Sequence, residues 1–170
     1  MENDEIIADI EQTIKWLIKT IDRDTYNQIP FEGSWTASQV VEHVIMVASG
    51  FDQLLNGPTE ITTRPIDEHV ERIKTMFLDY NSKNIASPNI TPAPGDYNLQ
   101  DQLIKLDTIK VSIINAVNTL NLNTTCLAFD IRSFGHLTRL EAVYFLLFHT
   151  KRHVYQLQNI VKILNNYQLK

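Results

Sequence analysis

Residues 138–160 read TRLEAVYFLLFHTKRHVYQLQNI, a pattern typical of a long amphipathic helix. Thr138 and Glu141 form a capping box, in which each side chain satisfies a backbone N–H that is free at a helix start. The apolar face then follows the helical period and includes two histidines. Its members are Leu146, His149, His153, Leu157, Ile160 and Leu164. We therefore expect a long final helix that directs both imidazole rings inward.

Three earlier stretches show the same period and predict three further helices. The first is Asn3 to Ile21, the second begins with the capping box Thr36–Gln39 and ends at Gly57-Pro58, and the third is about Asn98 to Leu120. Only 5 of the 170 residues are glycine, so two long parts of the chain have almost no helix breakers, unlike an all-β fold. The pattern predicts an all-α fold, a four-helix bundle.

A long crossover joins the second and third of these helices. Pro65 to Tyr80 is predicted as a shorter extra helix, and Ser87 to Gly95, with three prolines, as extended or looped. The segment Asn121 to Gly135 is predicted to be irregular, with an extended piece at Cys126 to Phe129. No second core is visible, so residues 1–170 are predicted to form one domain. The crossover argues against a simple up-down-up-down order, but the pattern alone leaves the order open.

Charge and composition make several partners unfavourable. The chain has 15 basic and 20 acidic residues, a net charge of −5, and no basic stripe for a nucleic-acid backbone. The basic pair Lys151-Arg152 is expected on a solvated helix face. The longest apolar run, Ala142 to Phe148, is too short to span a membrane, so no membrane partner is expected.

Cysteine usage and the N-terminal sequence indicate where the protein works. The single cysteine, Cys126, allows no intrachain disulfide, which fits a reducing compartment. The first residues are acidic, whereas a secretion signal begins with basic ones. We expect a cytoplasmic location.

Three histidines carry the predicted chemistry. His149 and His153 are four residues apart, which places their Cβ atoms roughly 5–6 Å apart on one helix face. His43 falls between Val40 and Val47 in the apolar stripe of the second helix, so it also points inward. Three imidazoles from two facing helices are a ligand set for a divalent metal ion with open positions for water or substrate. Any one of these histidines alone is more often a hydrogen-bonded core residue than a ligand.

The remaining polar residues offer no catalytic assignment. Thr150 follows His149 where zinc proteases have glutamate, so no general base accompanies the pair. Glu42 is expected as a solvent-facing charge and Glu141 as a helix cap. Trp35 is expected to staple the entry of the second helix, or to line a pocket. His69 and His136 lie in or beside predicted loops. His136 comes just before the last helix and could lie near the ion, but it is expected at the surface. Cys126 has no histidine in a recognisable relation to it. Imidazole ligation alone does not identify the metal.

The order of these motifs resembles a known family. Trp35-Thr36 followed by His43, and Gly135-His-Leu-Thr-Arg-Leu-Glu141 followed by His149-Thr-Lys-Arg-His153, resemble the signature segments of the DinB-like superfamily, also described as YfiT-like metal-dependent hydrolases. The resemblance implies a bundle in up-down-down-up order that is often dimeric. It implies nickel, zinc or another divalent ion on His43, His149 and His153. It also implies a small-molecule substrate and a low-molecular-weight thiol, since characterised relatives use bacillithiol or mycothiol.

Three functions remain compatible with the sequence. The first is a metal-dependent enzyme, either a thiol S-transferase or a hydrolase, and the resemblance together with the missing general base favours thiol transfer. The second is a non-catalytic bundle that binds a metal or small ligand in a stress response. The third is an interaction module in which the histidines belong to the core.

Overall fold

The computed structural model describes residues 2–82, 85–131 and 133–168, and in this part of the chain helices dominate. The five α-helices are α1 (Glu2–Thr20), α2 (Ala37–Asn56), α3 (Val70–Leu78), α4 (Leu99–Thr119) and α5 (Arg139–Gln168). Two short strands, β1 (Thr59–Ile61) and β2 (Thr124–Cys126), pair antiparallel, and Pro88–Ile90 forms a 3₁₀ turn. The long helices α1, α2, α4 and α5 make the bundle. The predicted all-α four-helix bundle is confirmed.

Neighbouring helices in the bundle follow the cyclic order α1, α5, α2, α4. The helices α2 and α4 run parallel, because their early residues meet and their later residues meet. Gln102 donates to the Ser38 carbonyl at 3.1 Å, and Ser112 donates to the Asp52 carboxylate about three to four turns further along both helices. Parallel neighbours need a long connection, which is the physical reason for the crossover between them.

The other pairings complete the order. The helices α2 and α5 are antiparallel, since Arg139 at the start of α5 donates to the carbonyl of Leu55 at the end of α2, at 2.8 Å. The helices α1 and α4 are also antiparallel, because Asn3 donates to the Val117 carbonyl at 3.0 Å. The chain therefore runs up, down, down and up through α1, α2, α4 and α5. The structure thus confirms the order that the resemblance implies and that the helical pattern left open.

Two apolar clusters fill the bundle, one at each end. One cluster holds the second half of α2 from Val47 and the first part of α5 as far as Phe148. The other holds the first half of α2 up to Ile45 and α5 from Val154 onwards. On α5, His149 and His153 lie between the two clusters, and on α2 His43 lies within the last turn of the second cluster. A polar layer thus interrupts an otherwise continuous core.

The crossover differs from the prediction in the start of its helix. The helix α3 begins at Val70, not at Pro65, because the preceding residues form turns and the His69 N–H donates to the Glu141 carboxylate at 2.8 Å. Ile73 and Phe77 are buried against α5 as the pattern predicted. The short helix therefore lies on the outside of the bundle, next to α5.

Two further predictions were wrong, the position of the extended piece and the solvent exposure of Lys151-Arg152. The extended piece lies at Thr124–Cys126, two residues before the predicted position, since it pairs with β1, which no local pattern signalled. The pair Lys151-Arg152 is not a solvated face. Lys151 forms an ion pair with Asp9 of α1 at 2.8 Å, and Arg152 donates to three carbonyls at the end of α3. The three acceptors are the carbonyl oxygens of Phe77, Asp79 and Ser82.

Candidate metal centre

The helices α2 and α5 bring the three predicted histidines together. On α2 the capping box at Thr36 and Gln39 forms as predicted, with both reciprocal hydrogen bonds present, and it fixes the start of the helix. On α5 the box at Thr138 and Glu141 forms as well. Because α2 and α5 pack antiparallel, His43 lies opposite the His149–His153 pair. The structure therefore places all three side chains in one layer of the bundle.

Their Nε2 atoms converge on one point. The Nε2 atom of His149 is 3.1 Å from that of His43 and 3.1 Å from that of His153. One potential ligand atom from each ring lies within 4.8 Å of the other two. Two imidazole nitrogens on one divalent ion, each bonded at about 2.0–2.1 Å, are roughly 2.9–3.4 Å apart for bond angles between 90° and tetrahedral. The two short separations fall within this range.

The hydrogen bonds of the outer ring nitrogens test whether a cation fits. His43 Nδ1 lies 2.6 Å from the Ile90 carbonyl, and His153 Nδ1 lies 2.8 Å from the Gln156 amide oxygen. Both partners only accept, so both Nδ1 atoms carry the hydrogen and both Nε2 atoms present bare lone pairs. These lone pairs point at His149. A divalent ion placed among them satisfies all three at once, so the residues present fit a metal ion.

Burial keeps the three rings neutral, as metal ligation requires. Desolvation, with the neighbouring rings adding to it, lowers the pKa of His149 well below the usual 6.5 and that of His153 to about 3. Desolvation also lowers the pKa of His43, partly opposed by its hydrogen bond to the Ile90 carbonyl. Protons therefore do not compete for these nitrogens near neutral pH.

The lowered pKa values predict how acid affects the metal-free protein. In the unfolded chain the histidines take up protons below about pH 6.5, whereas the folded chain resists this, for His153 down to about pH 3. The free energy of unfolding should be constant above pH 6.5 and fall below it, by at most about 1.4 kcal/mol per pH unit for each histidine. Urea titrations between pH 5 and 8 measure this slope. His153→Phe should flatten it and His136→Ala should not, and an unchanged slope in His153→Phe contradicts the burial argument.

Aromatic side chains surround the histidine layer. The Trp35 ring lies 5.2 Å from that of His43, and the Phe77 ring of α3 lies 5.4 Å from that of His149 at nearly a right angle. Phe145, one turn before His149, lies parallel to its ring at 6.4 Å. The histidines themselves are only 3%, 5% and 7% exposed. The crossover and the loop before α2 thus shield the layer from water, and Trp35 lines the site as well as packing at the helix entry.

The other predicted residues lie elsewhere. His136 is exposed, as expected, and His69 precedes α3 with its ring 5.8 Å from Phe134. Cys126 is fully buried, and desolvation raises the pKa of its thiol to about 11, so it is no nucleophile. Glu141 caps α5 as predicted. Glu42 was expected to face solvent, and this is wrong, because its carboxylate accepts from buried Gln102 at 2.8 Å and its side chain is only 15% exposed.

The sequence analysis did not identify the hydrogen-bond acceptors of the outer ring nitrogens of His153 and His43. Gln156 is three residues after His153, a spacing at which helical side chains meet, so its hydrogen bond had a sequence signal. The Ile90 carbonyl had none, since it is a backbone group 47 residues from His43. Both atoms orient a ring that the sequence did identify.

Fold and site together define a class, that of helical bundles with an inward three-histidine site suited to a divalent metal ion. The sequence model of the DinB superfamily matches residues 7–157, so the chain belongs to the DinB superfamily. A crystal structure described as TT2238, a four-helix bundle protein, is 20% identical, with a TM-score of 0.59 over 92% of this chain and 98% of that one. At this identity the likeness concerns the fold alone. No curated protein matches the chain.

Within the described residues, none of the helices combines the length and apolar character needed to cross a bilayer.

Proposed function

We propose that the protein is a metal-dependent enzyme that joins a low-molecular-weight thiol to a small electrophilic substrate. In this proposal His43, His149 and His153 hold one divalent ion, nickel or zinc. The observation that carries it is the convergence of three Nε2 atoms, of which two are fixed as bare lone pairs. Superfamily membership adds support, because the resemblance to thiol-using relatives rests on the same three histidines.

Two features favour thiol transfer: the effect of a bound ion on the pKa of a nucleophile, and the lack of a carboxylate base beside the histidines in the described part of the chain. When bound, a divalent ion lowers the pKa of a thiol or water that it coordinates, so that the nucleophile exists at neutral pH. Among the described residues the histidines hydrogen-bond to a carbonyl, an amide and each other, and to no carboxylate. Thiol transfer is favoured over hydrolysis, since a thiol begins near pKa 8.5 and water near 15.7, so that water needs more help from a base.

The protein's own residues would prepare the site rather than move protons. The His43 and His153 rings are oriented by their outer hydrogen bonds, which keeps their lone pairs directed inward. Trp35 and Phe77 exclude water from the layer, and a drier site strengthens the attraction between a cation and a thiolate. In the reaction the thiol sulfur forms a bond to the electrophilic carbon while the bond from that carbon to its leaving group breaks. The leaving group departs with the bonding electrons, and the thiol proton passes to solvent.

A conjugation assay tests this proposal. The protein is loaded with zinc or nickel and incubated with a thiol and a model electrophile, and product formation is compared with the uncatalysed rate. The wild type should accelerate conjugation, whereas His149→Ala should reduce the rate to background. His136→Ala, which changes an exposed histidine, is the matched control and should retain the wild-type rate. Equal rates in wild type and His149→Ala would end the proposal.

One observation favours a second candidate, a non-catalytic metal- or small-ligand-binding bundle. The rings are at most 7% exposed beneath Trp35 and α3, so a substrate must displace part of this cover to reach them. Cobalt substitution separates the two candidates. Adding a thiol to the cobalt-loaded enzyme should produce a sulfur-to-cobalt charge-transfer band, whereas an ion whose positions are all filled by the chain gives none.

A further inference from the structure

The outer nitrogen of His149 differs from those of its two neighbours. His43 Nδ1 and His153 Nδ1 each have an acceptor within hydrogen-bond distance, at Ile90 and Gln156. His149 Nδ1 is buried and, within the described part of the chain, has no hydrogen-bond partner. Outside the histidine layer, the Phe77 ring lies 5.4 Å from the His149 ring and almost perpendicular to it. The three rings are therefore not equivalent.

This difference determines where the hydrogens lie in the metal-free site. A bare nitrogen 3.1 Å from another bare nitrogen is repulsive, so one member of each contact must carry a hydrogen. The Nε2 atoms of His43 and His153 carry none, since their hydrogens are on Nδ1. Only His149 can supply one, and as the Nε2–H tautomer it donates to one of the two neighbours. Its Nδ1 is then a lone pair without a partner.

Metal binding changes which ring nitrogen carries the hydrogen in His149 and leaves the hydrogens of His43 and His153 where they are. A ligating Nε2 atom carries no hydrogen, so His149 must move its hydrogen to Nδ1. The change breaks no hydrogen bond of Nδ1, because that atom has no partner among the described residues. The same change at His43 or His153 would place a bare nitrogen against a carbonyl or amide oxygen.

We propose that Gln156 and the Ile90 carbonyl preset the ligating tautomers of His153 and His43, and that His149 alone switches tautomer when a metal ion binds. This inference rests on the metal-binding part of the proposed function and makes Gln156 a positioning residue. Gln156 is partly exposed, so its side chain can be changed with little effect on the core.

Nitrogen NMR of ¹⁵N-histidine-labelled protein measures the tautomers directly. In the zinc-free protein His43 and His153 should be Nδ1–H and His149 should be Nε2–H. With zinc, all three should be Nδ1–H. A zinc-free spectrum that shows His43 or His153 as Nε2–H, or His149 as Nδ1–H, would overturn the inference.

Zinc affinity tests the role of Gln156. Outer partners of metal-bound histidines typically contribute about 10- to 100-fold to affinity, so Gln156→Leu should weaken zinc binding by this factor in a chelator competition. Gln156→Glu keeps an acceptor and should bind within a few-fold of wild type or more tightly. Gln158→Leu changes an exposed glutamine on the same helix and should have no effect. Wild-type affinity in Gln156→Leu, or an equal loss in Gln158→Leu, contradicts the role.

These results are separable from the catalytic proposal. A protein that shows this tautomer pattern but no thiol transfer contradicts catalysis and supports the inference. A protein that transfers the thiol but shows the opposite tautomer pattern supports catalysis and contradicts the inference. Circular dichroism and urea unfolding of each variant show whether a loss of affinity comes from misfolding.

Discussion

Single alanine substitutions at His43, His149 and His153 are expected to reduce metal affinity by roughly 100- to 1000-fold each. Four-ligand zinc sites in small peptides contribute about 10–16 kcal/mol, so one ligand is worth about 2.5–4 kcal/mol. The largest loss is expected at His149, because its Nε2 atom is the one that lies 3.1 Å from both others. Purified without a histidine tag and dialysed against zinc or nickel, the wild type should retain about one ion per chain.

Controls distinguish ligation from general damage in this experiment. His136→Ala removes an exposed histidine and should leave the metal content unchanged. His153→Phe fills the volume of the ring and should still lose the metal, which excludes a cavity as the cause. Zinc should raise the melting temperature of the wild type and leave that of the three alanine variants nearly unchanged. A wild type that contains no metal and takes up neither zinc nor nickel would identify the histidines as core residues.

Arg64→Met is expected to lower the free energy of unfolding by about 3 kcal/mol at neutral pH, since it leaves a buried carboxylate without its cation. The Glu141 side chain is 0% exposed, and Arg64 contacts both of its oxygens at 2.7 and 2.6 Å. Two backbone N–H groups, of His69 and Thr138, complete its shell at 2.8 and 2.9 Å. Removing one partner of a buried ion pair lowers the free energy of unfolding by more than the intact pair adds to it, because the other charge stays buried without a partner.

The pH dependence of this loss identifies its cause. Burial would raise the pKa of Glu141, but hydrogen bonds from Arg64, Thr138 and His69 hold it below the usual 4.5. The contribution of a carboxyl with a lowered pKa is present above pH 4.5 and disappears as the pH falls further. The difference between wild type and Arg64→Met should therefore shrink in acid.

Urea titrations at several pH values measure this difference. Lys74→Met is the control, because Lys74 forms an exposed ion pair with Glu71, and it should change stability by less than about 1 kcal/mol. A loss for Arg64→Met that is no larger than this, or that does not depend on pH, would show that the buried pair does not stabilise the crossover.

Glu141 has one role that the sequence predicted, the helix cap, and one partner that it did not predict, Arg64. The capping box at Thr138 was readable because both partners are three residues apart on one helix. Arg64 is 77 residues away and lies in the crossover, so nothing local links it to Glu141. The same bond network sets the start of α3 at Val70, which local periodicity placed at Pro65. Short-range signals thus located the helices, and their ends depended on distant partners.

The sequence by itself determined the four bundle helices, their two capping boxes and the inward direction of His43, His149 and His153. These features depend on spacing within one helix, where geometry fixes which side chains share a face. The tertiary structure alone decided the pairing of the helices, the Ile90 carbonyl behind His43 and the isolation of His149 Nδ1, which has no hydrogen-bond partner among the described residues. They depend on atoms far apart in the chain, whose positions follow from packing of the whole bundle and not from any local repeat.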